Sequence, residues 1–137
     1  MTGVQTCALP IYAQRLGKKP ATFDFLGFTH ISARSRRGKF TVHVRTIRKR
    51  LRRGLKAVAQ WCQKHRHDPV CAQQKTLNAK LRGHYQYYGR PTNYRSIWRF
   101  FRKVRHIWHK WLSRRTRGNE MTWEKYAAIL QIGRAHV

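Results

Sequence analysis

Phe40-Thr41-Val42-His43-Val44-Arg45-Thr46-Ile47-Arg48-Lys49-Arg50-Leu51-Arg52-Arg53-Gly54-Leu55 is the stretch that decides the fold. Its first five residues alternate apolar and polar with the period of two that a half-buried strand requires. From Thr46 the period changes, and Ile47, Leu51, Leu55, Val58 and Trp61 or Cys62 recur at three- and four-residue steps. Arg48, Lys49, Arg52, Arg53 and Lys56 fill the intervals. That pattern predicts an amphipathic helix whose polar face is almost purely cationic. Strand gives way to helix near residue 46.

Working outward, Phe23–Ile31 is rich in aromatic and β-branched residues and reads as a second strand. Polar Ser32–Lys39, with Gly38 near its end, joins the two strands into a hairpin. An isolated hairpin is marginal in water, so these strands are expected to complete a sheet formed with upstream chain. Downstream, Asp68-Pro69 supplies a helix N-cap followed by Pro at the first helical position. Val70, Leu77, Leu81, Tyr85 (or His84) and Tyr88 form the apolar side of that helix, and Gly89 falls where a C-cap belongs. After the turn Arg90-Pro91-Thr92-Asn93, a third helix carries Ile97, Phe101, Val104, Trp108 and Trp111 or Leu112 as its stripe. Arg114–Asn119 is a basic connector. Thr122 then caps a short helix, with Glu124 in its first turn and Met121 stapled onto Tyr126. The expected fold is mainly α: an N-terminal β-hairpin, residues 13–45, followed by a basic bundle of three long helices and one short helix, residues 46–130.

Charge narrows the function. Among 137 residues, 31 Lys and Arg face four Asp and Glu, a formal charge of +27. A compact body with that charge repels itself and calls for polyanions. The chain is basic throughout, unlike an enzyme with one local pocket for an acidic substrate. Its aromatic content of 12% argues against a disordered tail. No apolar run approaches the ~20 residues of a transmembrane helix, so a cytoplasmic protein without membrane contact is expected. Few cysteines point the same way, to a reducing compartment.

The two ends read differently from the rest. Thr6-Cys7-Ala8-Leu9-Pro10-Ile11 can be encoded by ACG TGT GCT CTT CCG ATC, and the reverse complement of that string would encode Ile132-Gly133-Arg134-Ala135-His136 and the start of Val137. The string resembles a common sequencing-library adapter. Residues 1–12 and 131–137 are therefore assigned to translated adapter, with Tyr12 and Gln131 as hybrid codons.

Catalytic chemistry has little to work with. Nucleotidyl transfer through two metals needs clustered carboxylates, whereas Asp24, Asp68, Glu120 and Glu124 are isolated. No phosphate-binding Gly-rich loop or nucleophile elbow is present. Cys62, His65, His67 and Cys71 have the ligand types of a zinc site, but they straddle the predicted break at Asp68-Pro69. Two semi-buried thiols and two exposed imidazoles at an interhelical turn is the plainer reading. No catalytic residue, metal ligand or cofactor is expected in this segment.

Basic and aromatic residues interleave instead. No acid occurs from Pro69 to Asn119, a stretch holding Tyr85, Tyr87, Tyr88, Tyr94, Trp98, Phe100, Phe101, Trp108 and Trp111. Arginine outnumbers lysine 20 to 11, which suits bidentate phosphate recognition and stacking on bases. Phosphate contacts by such residues supply affinity, and aromatics beside them can stack unpaired bases. Tyr88, Trp98 or Phe101, and Trp108 are assigned to the core. Tyr87 and Tyr94 flank the Gly89–Asn93 turn and are assigned to RNA contact. The full candidate set is Arg48, Lys49, Arg52, Arg53, Lys80, Arg82, His84, Tyr87, Arg90, Asn93, Tyr94, Arg95, Arg99, Arg102, Lys110, Arg114 and Arg115.

Leu77-Asn78-Ala79-Lys80-Leu81-Arg82-Gly83-His84-Tyr85-Gln86-Tyr87-Tyr88-Gly89 resembles the maturase-specific domain of group II intron reverse transcriptases, whose pattern there is Leu-Asn-x-x-Leu-Arg-Gly-(His/Trp)-x-x-Tyr-Tyr. The similarity continues through Asn93-Tyr94-Arg95-Ser96, Trp108-His109-Lys110-Trp111-Leu112-Ser113-Arg114-Arg115 and Met121-Thr122-Trp123-Glu124. Phe23-Asp24-Phe25-Leu26-Gly27-Phe28 resembles the end of the polymerase palm in that family. The resemblance implies a thumb and maturase region that grips group II intron RNA, assists splicing and retrohoming, and helps hold template-primer nucleic acid. It also implies fingers and palm of the same polypeptide, with magnesium bound only in the palm, and a bacterial host in which the protein associates with the nucleoid through nucleic acid. Two alternatives stand beside it: a non-catalytic polymerase tail acting only in template-primer grip, and an unrelated basic helical module for DNA or the ribosome.

Overall fold

The computed structural model describes residues 22–115 and 121–134; side chains are described through residue 130. The order is β1 (Phe23–Phe25), β2 (Phe28–Arg34), β3 (Phe40–Thr46), α1 (Arg48–Lys64), α2 (Val70–Tyr88), a 3₁₀ turn at Pro91–Asn93, α3 (Tyr94–Ser113) and α4 (Trp123–Arg134). The fold is mainly helical behind an N-terminal antiparallel sheet, as the periodicities predict. The adapter assignments at 1–12 and 135–137, and most of the basic connector, lie outside the described residues.

The expected hairpin is a three-stranded meander ordered β1-β2-β3. Phe23–Ile31 is broken at Leu26-Gly27, a two-residue turn between the paired Phe25 and Phe28. Both turn residues have positive φ, 50° and 84°, the geometry that matches the twist of a tight hairpin. Leucine is a poor residue for that conformation, so the sequence carries no turn signal there. Tertiary contacts hold the turn instead. The Tyr87 hydroxyl donates to the Leu26 carbonyl at 3.0 Å, and the Ile47 N–H donates to the Gly27 carbonyl at 3.1 Å. A β-carbon on Gly27 would lie 3.4 Å from the Tyr88 hydroxyl, so the bend rests directly on the end of α2.

Helix α1 buries Leu51, Val58 and Cys62 against Phe100, Val104, Trp108 and Leu112 of α3 and Leu77 of α2. Burying each such side chain contributes about 1.5–3 kcal/mol before chain entropy is subtracted. Gly54 lies where α1 meets α3, and a β-carbon there would sit 3.2 Å from the Phe100 ring. Helix α4 closes the other side of α3 with Tyr126, which is fully buried and donates to the Arg105 carbonyl at 2.9 Å. Ahead of it, the His109 Nε2–H donates to the Met121 carbonyl at 2.7 Å, and the His109 ring stacks on Trp123.

One predicted boundary and one predicted stripe move. Asp68 does not cap α2: the helix follows Pro69 with no side-chain cap, and the Asp68 carboxylate accepts from His65 Nδ1 at 2.8 Å. The carbonyl of Asp68 accepts from the buried Gln73 side chain, whose oxygen accepts from the Trp108 indole. The buried stripe of α3 is Phe100, Val104, Trp108 and Leu112, so Phe100 takes the place expected for Phe101. Four-residue steps from Phe100 meet α1 squarely, whereas Trp98 is 51% exposed and Phe101 half-buried.

The sheet joins the helices through Asn93, which is fully buried. Its Oδ1 accepts from the Thr46 N–H at 2.8 Å, and its Nδ2 donates to the Thr46 hydroxyl and the Tyr88 carbonyl, both at 2.8 Å. Thr92 Oγ1 accepts from the Val44 N–H at 2.9 Å. These groups cover the open edge of β3. Replacing Asn93 by Ala strands a buried N–H and a carbonyl, so urea unfolding is expected to lose about 2–4 kcal/mol. A loss under about 1 kcal/mol would show that water replaces the clamp.

Candidate nucleic-acid interface

The inward stripe of α3 dictates what its outer face presents. With Phe100, Val104, Trp108 and Leu112 turned into the core, Arg95, Arg99, Arg102, Lys103 and Lys110 are left exposed. Tyr94 and Trp98, one turn apart, are 67% and 51% exposed along the same helix. Together with Arg95, Arg99, Arg102, Lys103 and His106 they line a shallow groove of about 480 Å³. Behind it, Tyr85, Ile97 and Phe101 join Tyr94 and Trp98 around an apolar recess of about 280 Å³. Trp98 packs at 5.6 Å from Phe101, and the Arg105 guanidinium lies 5.6 Å from the other end of that pair, over Phe101.

Further cations are distributed over the rest of the surface. Arg48, Lys49, Arg52 and Arg53 are exposed on α1, and Lys80 and Arg82 on α2. The ammonium of Lys80 lies 5.7 Å from the Trp61 ring, and the guanidinium of Arg114 lies 5.0 Å from Trp111. Arg90 is exposed in the turn. Among the described residues the ion pair is His65 with Asp68, and Asp24 accepts from the Thr29 hydroxyl. Arg and Lys on these faces thus have no carboxylate partner among the described residues. Self-repulsion is the cost of this arrangement, and an anionic partner relieves it.

Four sequence-predicted contacts have structural roles instead. Asn93 is the buried clamp described above and is out of reach of a ligand. His84 is half-buried, with its ring stacked on Phe100 at 3.8 Å, and burial lowers its pKa. Arg115 is half-buried and donates to the Asp68 carbonyl at 3.1 Å. Tyr87 is 53% exposed, but its ring stacks on Phe28 and its hydroxyl secures the Leu26 turn. Asn93, Tyr87 and Arg115 share one reason, since polar side chains near turns are the groups available to satisfy free backbone there, whereas His84 is held by its ring stack. Trp98 is the residue the core assignment misplaced. The wholly apolar series Phe100-Val104-Trp108-Leu112 was the signal that sets it outside the core.

The four zinc-type residues are not drawn together. Among the described residues no group of three or more His, Cys, Asp and Glu is positioned to hold a metal ion. Cys62 is 1% exposed in the core, where burial pushes its thiol up to about 11, while Cys71 is exposed. His65 is engaged with Asp68, and Arg66 Nε donates to His67 Nε2 at 2.9 Å. No helix of the described residues is long and apolar enough to cross a membrane.

Compared with known proteins, the chain matches no family model, no curated protein and no solved structure.

Two measurements check these environments. Neutral His84 is favoured in the fold, and the unfolded chain binds its proton more readily. His84 therefore contributes stability that is present above its ordinary value of 6.5 and lost as pH falls below it. Urea unfolding of the parent should weaken across that window more than that of His84→Phe; parallel pH profiles would contradict the assignment. With a maleimide under native conditions, peptide mapping should find Cys71 modified and Cys62 protected until the chain unfolds. Equal labelling would mean the core opens around Cys62.

Proposed function

We propose that this chain is an RNA-binding region of the maturase type, which grips the folded RNA of a group II intron and assists its splicing and retrohoming. The carrying observation is the division of α1 and α3 between an apolar inner stripe and an outer face of Arg and Lys without carboxylate partners among the described residues. Arg48, Lys49, Arg52 and Arg53 on α1, and Arg95, Arg99, Arg102 and Lys110 on α3, neutralise phosphates. The core beneath fixes the spacing of these charges. Catalysis of splicing then belongs to the RNA, and the protein acts by stabilising its active fold, in the cytoplasm of a bacterial cell.

The Leu77–Gly89 segment supports the same reading. Its matching leucines, Leu77 and Leu81, pack in the core, while Lys80 and Arg82 between and after them are exposed. The motif then combines one structural and one RNA-facing side, consistent with α2 carrying both duties. Template-primer grip within a larger polymerase uses the same faces and is compatible with it.

Binding across a salt series separates this function from charge alone. A folded group II intron should bind more tightly than an unrelated structured RNA or duplex DNA at every salt concentration. Affinity should fall about a thousandfold over a fourfold rise in salt if six or more phosphates are engaged. Arg82→Ala should weaken intron binding and reduce the salt slope by about one, without loss of helix by circular dichroism. Equal affinities and slopes for all three nucleic acids would contradict the proposal.

A further inference from the structure

The outer face of α3 is more than a cationic surface. Tyr94 and Trp98 are large aromatic residues 67% and 51% open to solvent; of the other exposed rings, Tyr87 stacks on Phe28 and Trp123 on His109, and Phe25 and Phe40 belong to the sheet, outside this groove. Tyr94 and Trp98 stand four residues apart on the helix, a rise of about 6 Å, which leaves room for flat groups to lie against each ring. On the side away from the core they are edged by Arg95, Arg99, Arg102 and Lys103 in one groove, and no acidic residue lines it. On the core side, Phe101, with Arg105 above it, supports the Trp98 ring from behind. An apolar shelf bordered by cations matches a polyanion that also carries exposed planar groups. A duplex hides those groups in its own stack; an unpaired strand presents them.

We propose that Tyr94 and Trp98 form a stacking platform for unpaired nucleobases of a single-stranded RNA segment, whose phosphates run along Arg95, Arg99 and Arg102. This rests on the reading that the chain binds RNA and specifies which part of the RNA α3 takes: a loop, bulge or strand end rather than a helix. The stacking is sequence-tolerant, since every base has a face to offer. Trp98 is then a binding residue and no part of the core, so its replacement leaves the fold intact.

The test uses the full chain with two probes of equal phosphate number, a short oligoadenylate and the same oligomer lacking its bases. Trp98→Ala should weaken oligoadenylate binding about tenfold and leave the abasic oligomer and the salt slope unchanged. Trp98→Phe should restore most of the loss, and circular dichroism should report unchanged helix in both variants. Arg99→Ala should weaken both probes together. An equal loss on both probes for Trp98→Ala, or no loss on either, overturns the platform. The broader reading fails on a different observation, an intron bound no better than unrelated structured RNA. A base-dependent loss at Trp98 together with that result would leave a general single-strand binder that is not a maturase.

Discussion

Asn93 is the residue on which the rest of this structure depends. A small sheet and a set of helices have little reason to hold a fixed angle, because the apolar core lies among the helices. Beside the contacts of Tyr87 and Tyr88 with the Leu26–Phe28 turn, the sheet is tied on at a fully buried polar point. There a single amide accepts from the last residue of β3 and donates both to that residue's hydroxyl and to the closing carbonyl of α2. Its own backbone leads into α3 one residue later. With both amide hydrogens and the oxygen engaged, the group is satisfied where water is excluded, the condition under which buried polar contacts specify geometry. Thr92 extends the clamp along the edge of β3, which would otherwise be open for pairing with another chain.

That clamp has a consequence for the charged faces. A chain at +27 spends free energy on self-repulsion in its compact state, and its helices must be held by contacts that salt and counterions do not alter. The core supplies these in two forms. One is the stripe Phe100, Val104, Trp108 and Leu112 against Leu51, Val58 and Cys62. The other is a line of buried polar links, from Trp108 through Gln73 to the Asp68 carbonyl, to which Arg115 also donates. Most of the cations are free to face outward; among the described residues Arg115 donates to the Asp68 carbonyl and Lys80 of α2 lies against Trp61 of α1.

Much of this was legible in the sequence, for identifiable reasons. The change of period at Thr46 marks the passage from sheet to helix, and the helices appear where apolar steps of three and four predict them. Exposure of the cations on α1 and α3 follows from the same pattern. What escaped is tertiary in origin. Leu26 adopts a left-handed conformation that its side chain disfavours, because Tyr87 and Tyr88 hold the turn from across the molecule. Asn93 and His84 resemble surface residues in one dimension, and only the meeting of β3, α2 and α3 buries them. Trp98 was hidden by its neighbour Phe101: two aromatics three apart both fit a helical stripe, and the packing of Phe100 beside Gly54 decides the register.

In the proposed function, RNA meets the outer faces of α1 and α3 while the sheet and the Asn93 clamp stay behind as support. Ultraviolet crosslinking of the chain to a folded group II intron, followed by peptide mass spectrometry, tests it most directly. Crosslinks should concentrate in peptides spanning residues 48–56 and 94–106, with Tyr94 and Trp98 prominent among them. Crosslinks concentrated in residues 23–46, or spread evenly over the chain, would contradict it.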